Sequence, residues 1–237
     1  MANDFFKFKQ FSIQQDQCAM KVGTDGVLLG AWADVEKAEK IIDIGTGTGL
    51  IAIMLAQRSD AIINAVEIEE KASDQALLNV LNSIWAERIN IYNVSIQEFA
   101  NNTNEKYDLI VSNPPYFINS LKSSEKHRDI ARHNDSLSHT DLINASLSML
   151  SENGKLSIIL PYVEGCIFIA EAAKKGLFCI RKTNVKALSN TTIKRLLLEF
   201  SQVPEPCAED FLIIGTSNHE EYTEKYRNLT SSFYLNF

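Results

Sequence analysis

Lys40-Ile41-Ile42-Asp43-Ile44-Gly45-Thr46-Gly47-Thr48-Gly49 runs directly into Leu50-Ile51-Ala52-Ile53-Met54-Leu55-Ala56-Gln57. An apolar run with three isoleucines, glycines at alternate positions and then a run of helix formers predict strand, tight turn and helix in immediate succession. Glycines in such a turn let the backbone approach a ligand closely, and the first N–H groups of the helix point at the same place. A second unit follows, with Ile62–Glu67 as strand and Glu70–Leu81 as amphipathic helix. Strands alternating with helices predict an α/β fold built on a mostly parallel sheet with helices on both faces. Glu67 ends its strand, where a carboxylate can accept both hydroxyls of a ribose. Its plainer reading is a solvated charge ahead of a helix.

Two cofactor classes suit the turn. Gly47-Thr48-Gly49-Leu50-Ile51-Ala52 satisfies G-x-G-x-x-A, and Glu67 lies 20 residues beyond Gly47, as in nicotinamide enzymes. Asp43, two positions before Gly45, opposes that reading, because a carboxylate there suits a ligand of positive charge rather than a pyrophosphate. A third strand at 89–94 leads to Ser95, Ile96 and a short helix near 97–100. Ser95 can bond an adenine amine and Ile96 can pack on its ring, although Ser95 is equally suited to capping the helix.

The fourth strand, Tyr107-Asp108-Leu109-Ile110-Val111, runs into Ser112-Asn113-Pro114-Pro115-Tyr116. The carboxyl end of a parallel strand is where an open α/β sheet places its ligand. Asn113 offers an amide oxygen and Pro114 a carbonyl of constrained direction, so together they can take both hydrogens of a planar amine. That draws the nitrogen lone pair out of conjugation and aims it at an electrophile, an orienting and electrostatic contribution. Tyr116 can stack on the ring. Read alone, Asn-Pro-Pro-Tyr is also an ordinary rigid turn.

Around this centre, residues 5–22 alternate aromatic and basic side chains and predict a short strand or hairpin. Gly23 to Gly26 read as a turn, with Thr24 or Asp25 capping a helix that continues through Trp32; the alternative for Asp25 is a polar contact to a ligand. The polar segment 117–139 carries Lys122, Lys126, His127, Arg128, Arg132 and His133, and its length suggests a substrate loop. Histidines 127, 133 and 139 stand six apart, which puts no two on one helical face, so no metal site is expected. A helix at 140–150 ending near Gly154, a strand at 155–160, a helix at 163–175 closed by Gly176, strands at 178–185, 195–202 and 211–214, and a tail helix complete the reading. Seven basic residues and no acid lie between Ala172 and Leu198: Lys174, Lys175, Arg181, Lys182, Lys186, Lys194 and Arg195. Such a run is usually a solvated face, yet it also suits a phosphate backbone.

At 237 residues and net charge −7 the chain fits one domain with an appendage. Four cysteines without C-x-x-C spacing exclude a zinc ribbon or disulfide framework. No signal-like or membrane-length apolar run occurs, so a cytoplasmic protein without membrane partner is expected.

Asp43-x-Gly45-x-Gly47-x-Gly49, Glu67 and Asn113-Pro114-Pro115-Tyr116, in this order, resemble class I S-adenosylmethionine-dependent methyltransferases of the amino-methylating branch. Phe8-Lys-Gln-Phe11, Cys18-Ala-Met-Lys-Val-Gly-Thr-Asp-Gly26, Leu29-Gly-Ala-Trp32, Trp85-Ala-Glu-Arg-Ile89 and Leu229-Thr-x-x-Phe233-Tyr-Leu further resemble the bacterial tRNA1(Val) (adenine(37)-N6)-methyltransferases, nearly end to end. The resemblance implies a Rossmann-like, seven-stranded, mostly parallel sheet with its last strand antiparallel. It implies S-adenosyl-L-methionine as methyl donor and N6 of adenine 37 in a valine tRNA as acceptor.

Carried onto these residues, it makes Gly45, Gly47 and Gly49 the cradle for the methionine part of the cofactor, with Asp43 behind them and Thr24 and Asp25 near the amino-acid end. Glu67 takes the ribose, Ser95 and Ile96 the cofactor's adenine, and Asn113, Pro114 and Tyr116 the target base. Related enzymes often carry an acid where this chain has Ser95. Lys122, Lys126, Arg128, Arg132, Arg181, Lys182, Lys186, Lys194 and Arg195 are the candidates for RNA contact. The expected organisation is one monomeric domain over 1–237, with a cofactor-covering extension (1–35), a catalytic core (36–203) and a C-terminal strand and helix (204–237). The alternatives are a glutamine-N5 methyltransferase of release factors, an adenine-N6 methyltransferase of another RNA or DNA, a nicotinamide oxidoreductase, and a non-catalytic RNA-binding module.

Overall fold

The structure, a computed structural model, describes residues 4–18, 20–115, 137–216 and 221–237. A hairpin of β1 (Phe5–Lys7) and β2 (Ser12–Gln14) precedes helix α1 (Thr24–Trp32). Then come β3 (Lys40–Ile44), α2 (Leu50–Arg58), β4 (Ile62–Glu67), α3 (Glu70–Leu81), β5 (Ile89–Asn93), α4 (Ile96–Asn102) and β6 (Tyr107–Ser112). The second half holds α5 (His139–Met149), β7 (Leu150–Pro161), α6 (Tyr162–Lys174), β8 (Phe178–Lys186), β9 (Ile193–Ser201), β10 (Ala208–Ile213) and α7 (Glu224–Thr230).

Eight strands form the main sheet in the order β10-β8-β9-β7-β6-β3-β4-β5. All neighbours are parallel except that β9 runs against both β7 and β8. β9 is the seventh strand of this sheet in chain order, so the expected antiparallel strand is present, and β10 adds an eighth beside β8. The central strands are buried on both faces and alternate their isoleucines between two cores. Ile41, Leu109, Val111 and Ile159 pack toward α1 and α2, whereas Ile42, Ile44, Ile110 and Ile158 pack toward α5 and α6. Burying one such side chain fully contributes about 1.5–3 kcal/mol before chain entropy is counted.

Three local expectations are corrected. Helix α1 begins at Thr24 with Gly23 as its N-cap, so neither Thr24 nor Asp25 caps it, and both belong to its first turn. α5 ends at Met149 and β7 starts at Leu150, which places Gly154 inside a strand instead of after a helix. The strand passes there so close to β6 that a Cβ on Gly154 would lie 2.6 Å from the Tyr107 carbonyl oxygen. β10 starts at Ala208, three residues before the expected 211. Gly176 behaves as read, leaving α6 with φ of +84°.

β3 connects outward to β4 on one side of the sheet, and β6 lies on its other side. This reversal opens a crevice above the carboxyl ends of β3 and β6, the place where ligands of such sheets bind.

Candidate active site

The glycine turn lies in that crevice. Gly45, Gly47 and Gly49 have φ of +73°, +57° and +80°, a region that side chains with a Cβ adopt at a cost. A Cβ at Gly45 or Gly47 would meet no protein atom within 4 Å, so the space in front of them is open. Gly49 differs: it is the N-cap of α2, and a Cβ there would contact Ala76 of α3 at 3.4 Å. It shapes the helix start, and it lines neither of the cavities described next.

A cavity of about 540 Å³ is lined by Gly45, Gly47, Glu67, Ser95, Ile96 and Asn113 among others. A second, of about 320 Å³, is lined by Thr24, Asp25, Gly45, Gly47 and Asn113. The two share Met20, Gly45, Gly47 and Asn113 as walls, and so meet above the turn at the end of β6. Pro115 borders the larger cavity, and Pro114 is buried behind it. Tyr116, Lys122, Lys126, Arg128 and Arg132 lie outside the described residues.

Glu67 holds the turn from the side. Its Oε2 accepts from the Gly47 N–H at 2.9 Å and its Oε1 from the Glu69 N–H at 3.0 Å. Each carboxylate oxygen can accept a further bond, so the group can brace the loop and still receive a diol. Ser95 caps α4, its hydroxyl oxygen accepting from the Glu98 N–H at 3.1 Å, while lining the larger cavity. Capping and lining are both realised in this one residue, and its O–H remains able to donate.

Asp43 lines neither cavity. It is fully buried beneath the turn, and its Oδ2 accepts from the Thr46 hydroxyl at 2.6 Å. Among the described residues its Oδ1 has no hydrogen bond of ordinary geometry, although the Ala52 N–H comes near enough to the carboxylate to act on it. Burial pushes its carboxyl up to about 7, against the lowering effect of the Thr46 hydroxyl and the Ala52 N–H and with a smaller raising effect from Glu67. Asp43 therefore reaches the second cavity only by way of Thr46, which borders it.

The basic run divides once folded. Lys174 and Lys175 end α6, far from the crevice, and Lys175 Nζ donates to Asn144 Oδ1 at 2.6 Å. Arg181 is partnered within the fold: its guanidinium stacks 3.7 Å over the Trp32 ring and bonds Glu199 at 2.8 Å, while its side chain stays about one third exposed. Lys182 pairs with Glu209 at 3.0 Å on the edge strand. Arg195 Nε donates to Asp25 Oδ2 at 2.8 Å, tying the start of β9 to the first turn of α1. Only Lys186 and Lys194 of the run stand at the crevice side without a recorded acidic partner among the described residues.

Several wall residues were given no contact by the sequence reading, three exposed or distant apolar ones among them. Ile68 lines the larger cavity although more than half exposed, and Leu137 and Met20 do the same from distant segments. Met20 lies inside the Cys18–Gly26 stretch that carries the family resemblance and Ile68 directly follows Glu67, so both had a signal; Leu137 had none, because only folding brings it to the mouth. Apolar walls, a diol-accepting carboxylate and a glycine cradle with open space before it together fit S-adenosyl-L-methionine.

The family model for the methyltransferase small domain matches residues 20–166. A tRNA1(Val) (adenine(37)-N6)-methyltransferase of Trichodesmium erythraeum is 48% identical over 100% of both chains. One of Christiangramia forsetii is 48% identical over 99% of each. Among solved structures, a predicted O-methyltransferase of Agrobacterium tumefaciens superposes with a TM-score of 0.68 over 88% of this chain and 96% of its own, at 19% identity, a likeness of fold alone. By full-length identity to curated relatives and by the small-domain match over its crevice-forming half, the chain belongs to the S-adenosylmethionine-dependent tRNA1(Val) (adenine(37)-N6)-methyltransferase family.

Proposed function

We propose that this enzyme transfers a methyl group from S-adenosyl-L-methionine to N6 of adenine 37, beside the anticodon, in a valine tRNA. The observation that carries the reading is that Asn113 forms a wall common to both cavities. One carboxamide then borders the cofactor's amino-acid end, its nucleoside end and the mouth through which an acceptor enters. S-adenosylmethionine supplies an electrophilic methyl on a sulfonium centre.

The chain's residues do the rest. Gly45 and Gly47 let the backbone approach the cofactor, Glu67 receives the ribose hydroxyls, and Ile68, Ile96 and Leu137 enclose its base. The Asn113 amide oxygen and the Pro114 carbonyl take the two hydrogens of the target amine and turn its lone pair toward the methyl. Tyr116 stacks on the target ring, which must leave the anticodon-loop stack to enter. The protein works as a monomer in the cytoplasm without metal; no helix among the described residues is long and apolar enough to cross a membrane.

The test is incubation with labelled S-adenosylmethionine, a set of unmodified tRNAs and a release factor, then separation of RNA from protein and digestion of the RNA to nucleosides. Label in N6-methyladenosine from a valine tRNA is expected. Label confined to a release factor would overturn the reading.

A further inference from the structure

Beside the acceptor pocket the sheet presents a second set of groups. β7 runs three residues past Ile158, its last pair with Ser112 of β6, and ends at Pro161. The next residue, Tyr162, opens α6 on the same rim and is 43% exposed. Pro161 pairs with Arg195 of β9, so Lys194 lies next outward from that pair. Val185 of β8 pairs with Arg195, and Lys186 pairs with Ile193. Tyr162, Lys194 and Lys186 thus succeed one another along the carboxyl rim, one, two and three strands across from Asn113 at roughly 4.8 Å per strand, and about 10 Å further out along the strand direction because β7 overruns β6.

Arg195 is committed to Asp25 and to the Lys194 carbonyl, at 2.8 and 3.0 Å. Lys194 is exposed, and among the described residues the Lys186 ammonium bonds only the Ser189 carbonyl, at 3.5 Å. No acidic residue interrupts the chain from Ala172 to Leu198. The arrangement is one exposed ring and two cations in line with the acceptor pocket, continuous with it and of the opposite charge to a phosphate backbone.

We propose that this rim is the track for the RNA strand: Tyr162 stacks on a base adjoining the target adenine, and Lys194 and Lys186 hold phosphates of the same strand. The proposal rests on the reading of the chain as a tRNA methyltransferase. An unstacked base finds on an exposed tyrosine the kind of face that single strands use without regard to sequence. The same geometry removes Arg195 from the RNA contacts and makes it a positioning residue for Asp25 in the cofactor cavity.

The experiment compares Tyr162→Ala, Tyr162→Phe, the double variant Lys186→Gln/Lys194→Gln, Arg195→Lys, and Lys174→Gln/Lys175→Gln on the far rim. Each is measured for KM toward unmodified valine tRNA at several salt concentrations, for kcat, and for S-adenosylmethionine affinity by calorimetry. Tyr162→Ala raises the tRNA KM about tenfold and Tyr162→Phe restores it, with kcat and cofactor affinity unchanged. The lysine double variant raises that KM and flattens its logarithmic salt dependence by about 1.4. Arg195→Lys weakens cofactor binding and leaves the salt dependence intact, and the far-rim variant changes nothing. An unchanged tRNA KM in both the tyrosine and lysine variants, or equal loss of tRNA and cofactor binding in them, overturns the proposal while leaving the enzyme's activity as read. A wild-type protein that binds S-adenosylmethionine but labels no tRNA overturns both.

Discussion

Glu199 and Asp43 are both carboxylates buried in the same sheet, at 3% and 0% exposure, yet their surroundings are opposite. On the β9 side of the sheet, Glu199 is met by Arg181 at 2.8 Å and Lys155 at 3.6 Å, and Lys155 also reaches Asp34 at 3.2 Å. Trp32 closes that cluster, its indole N–H donating to Thr183 at 3.0 Å and its ring lying under Arg181. On the β3 side, beneath the glycine turn, Asp43 has the Thr46 hydroxyl on one oxygen and, among the described residues, no hydrogen bond of ordinary geometry and no cation for the other. A buried charge is tolerable when it is paired and costly when it is not. One half of the sheet is therefore closed on itself, and the other holds its polar groups around open space, which is the difference between a scaffold and a site.

That contrast can be broken most forcefully at Asn113. Asn113→Ala should cut methyl transfer on the order of 10³-fold while thermal stabilisation by S-adenosylmethionine persists; equal loss of both would make Asn113 a structural residue. Next comes pH. Asp43 sits at about 7 in the fold against 3.8 ordinarily, so the folded state keeps its proton where the unfolded chain has lost it. Its contribution is fully present below about pH 4 and disappears as pH rises to about 7, a loss on the order of 4 kcal/mol as an upper figure. Urea unfolding of the cofactor-free enzyme should show this slope, and Asp43→Asn should flatten it.

The closed half should respond in stability alone. Glu199→Gln leaves Arg181 and Lys155 without their shared anion and should cost about 3 kcal/mol, with the cofactor dissociation constant unchanged by calorimetry. A shifted dissociation constant would mean the two halves are coupled. The smallest effect belongs to Gly47→Ala. At φ of +57° the substitution should cost about 1–2 kcal/mol of stability. Because its methyl enters the open space before the turn, it should lower cofactor affinity more than it lowers the melting temperature.

Local pattern made the scaffold of the site legible. The isoleucine-rich strand, the glycine turn and the helix from Leu50 are contiguous, and α3 occupies the span its periodicity indicates, Glu70–Leu81. Glu67, Ser95 and Asn113 were legible because strand ends in a parallel sheet converge on one crevice. What could not be read were pairings made across the chain. Arg181 looks like surface cation until Trp32, 149 positions away, lies beneath it, and Asp25 looks like a cap until Arg195, 170 positions away, meets it. Gly154 misled for a related reason: a glycine demanded by a neighbouring strand's carbonyl carries the same letter as one that ends a helix.

The bond from the Gly47 amide to Glu67 also gives the enzyme a built-in reporter. On the proposed reading, in which ribose hydroxyls share that carboxylate, the amide's acceptor changes electronically without the peptide having to move. The Gly47 amide proton resonance should then titrate with cofactor occupancy, distinguishing an empty from an occupied enzyme by a single backbone signal on the sheet's open side.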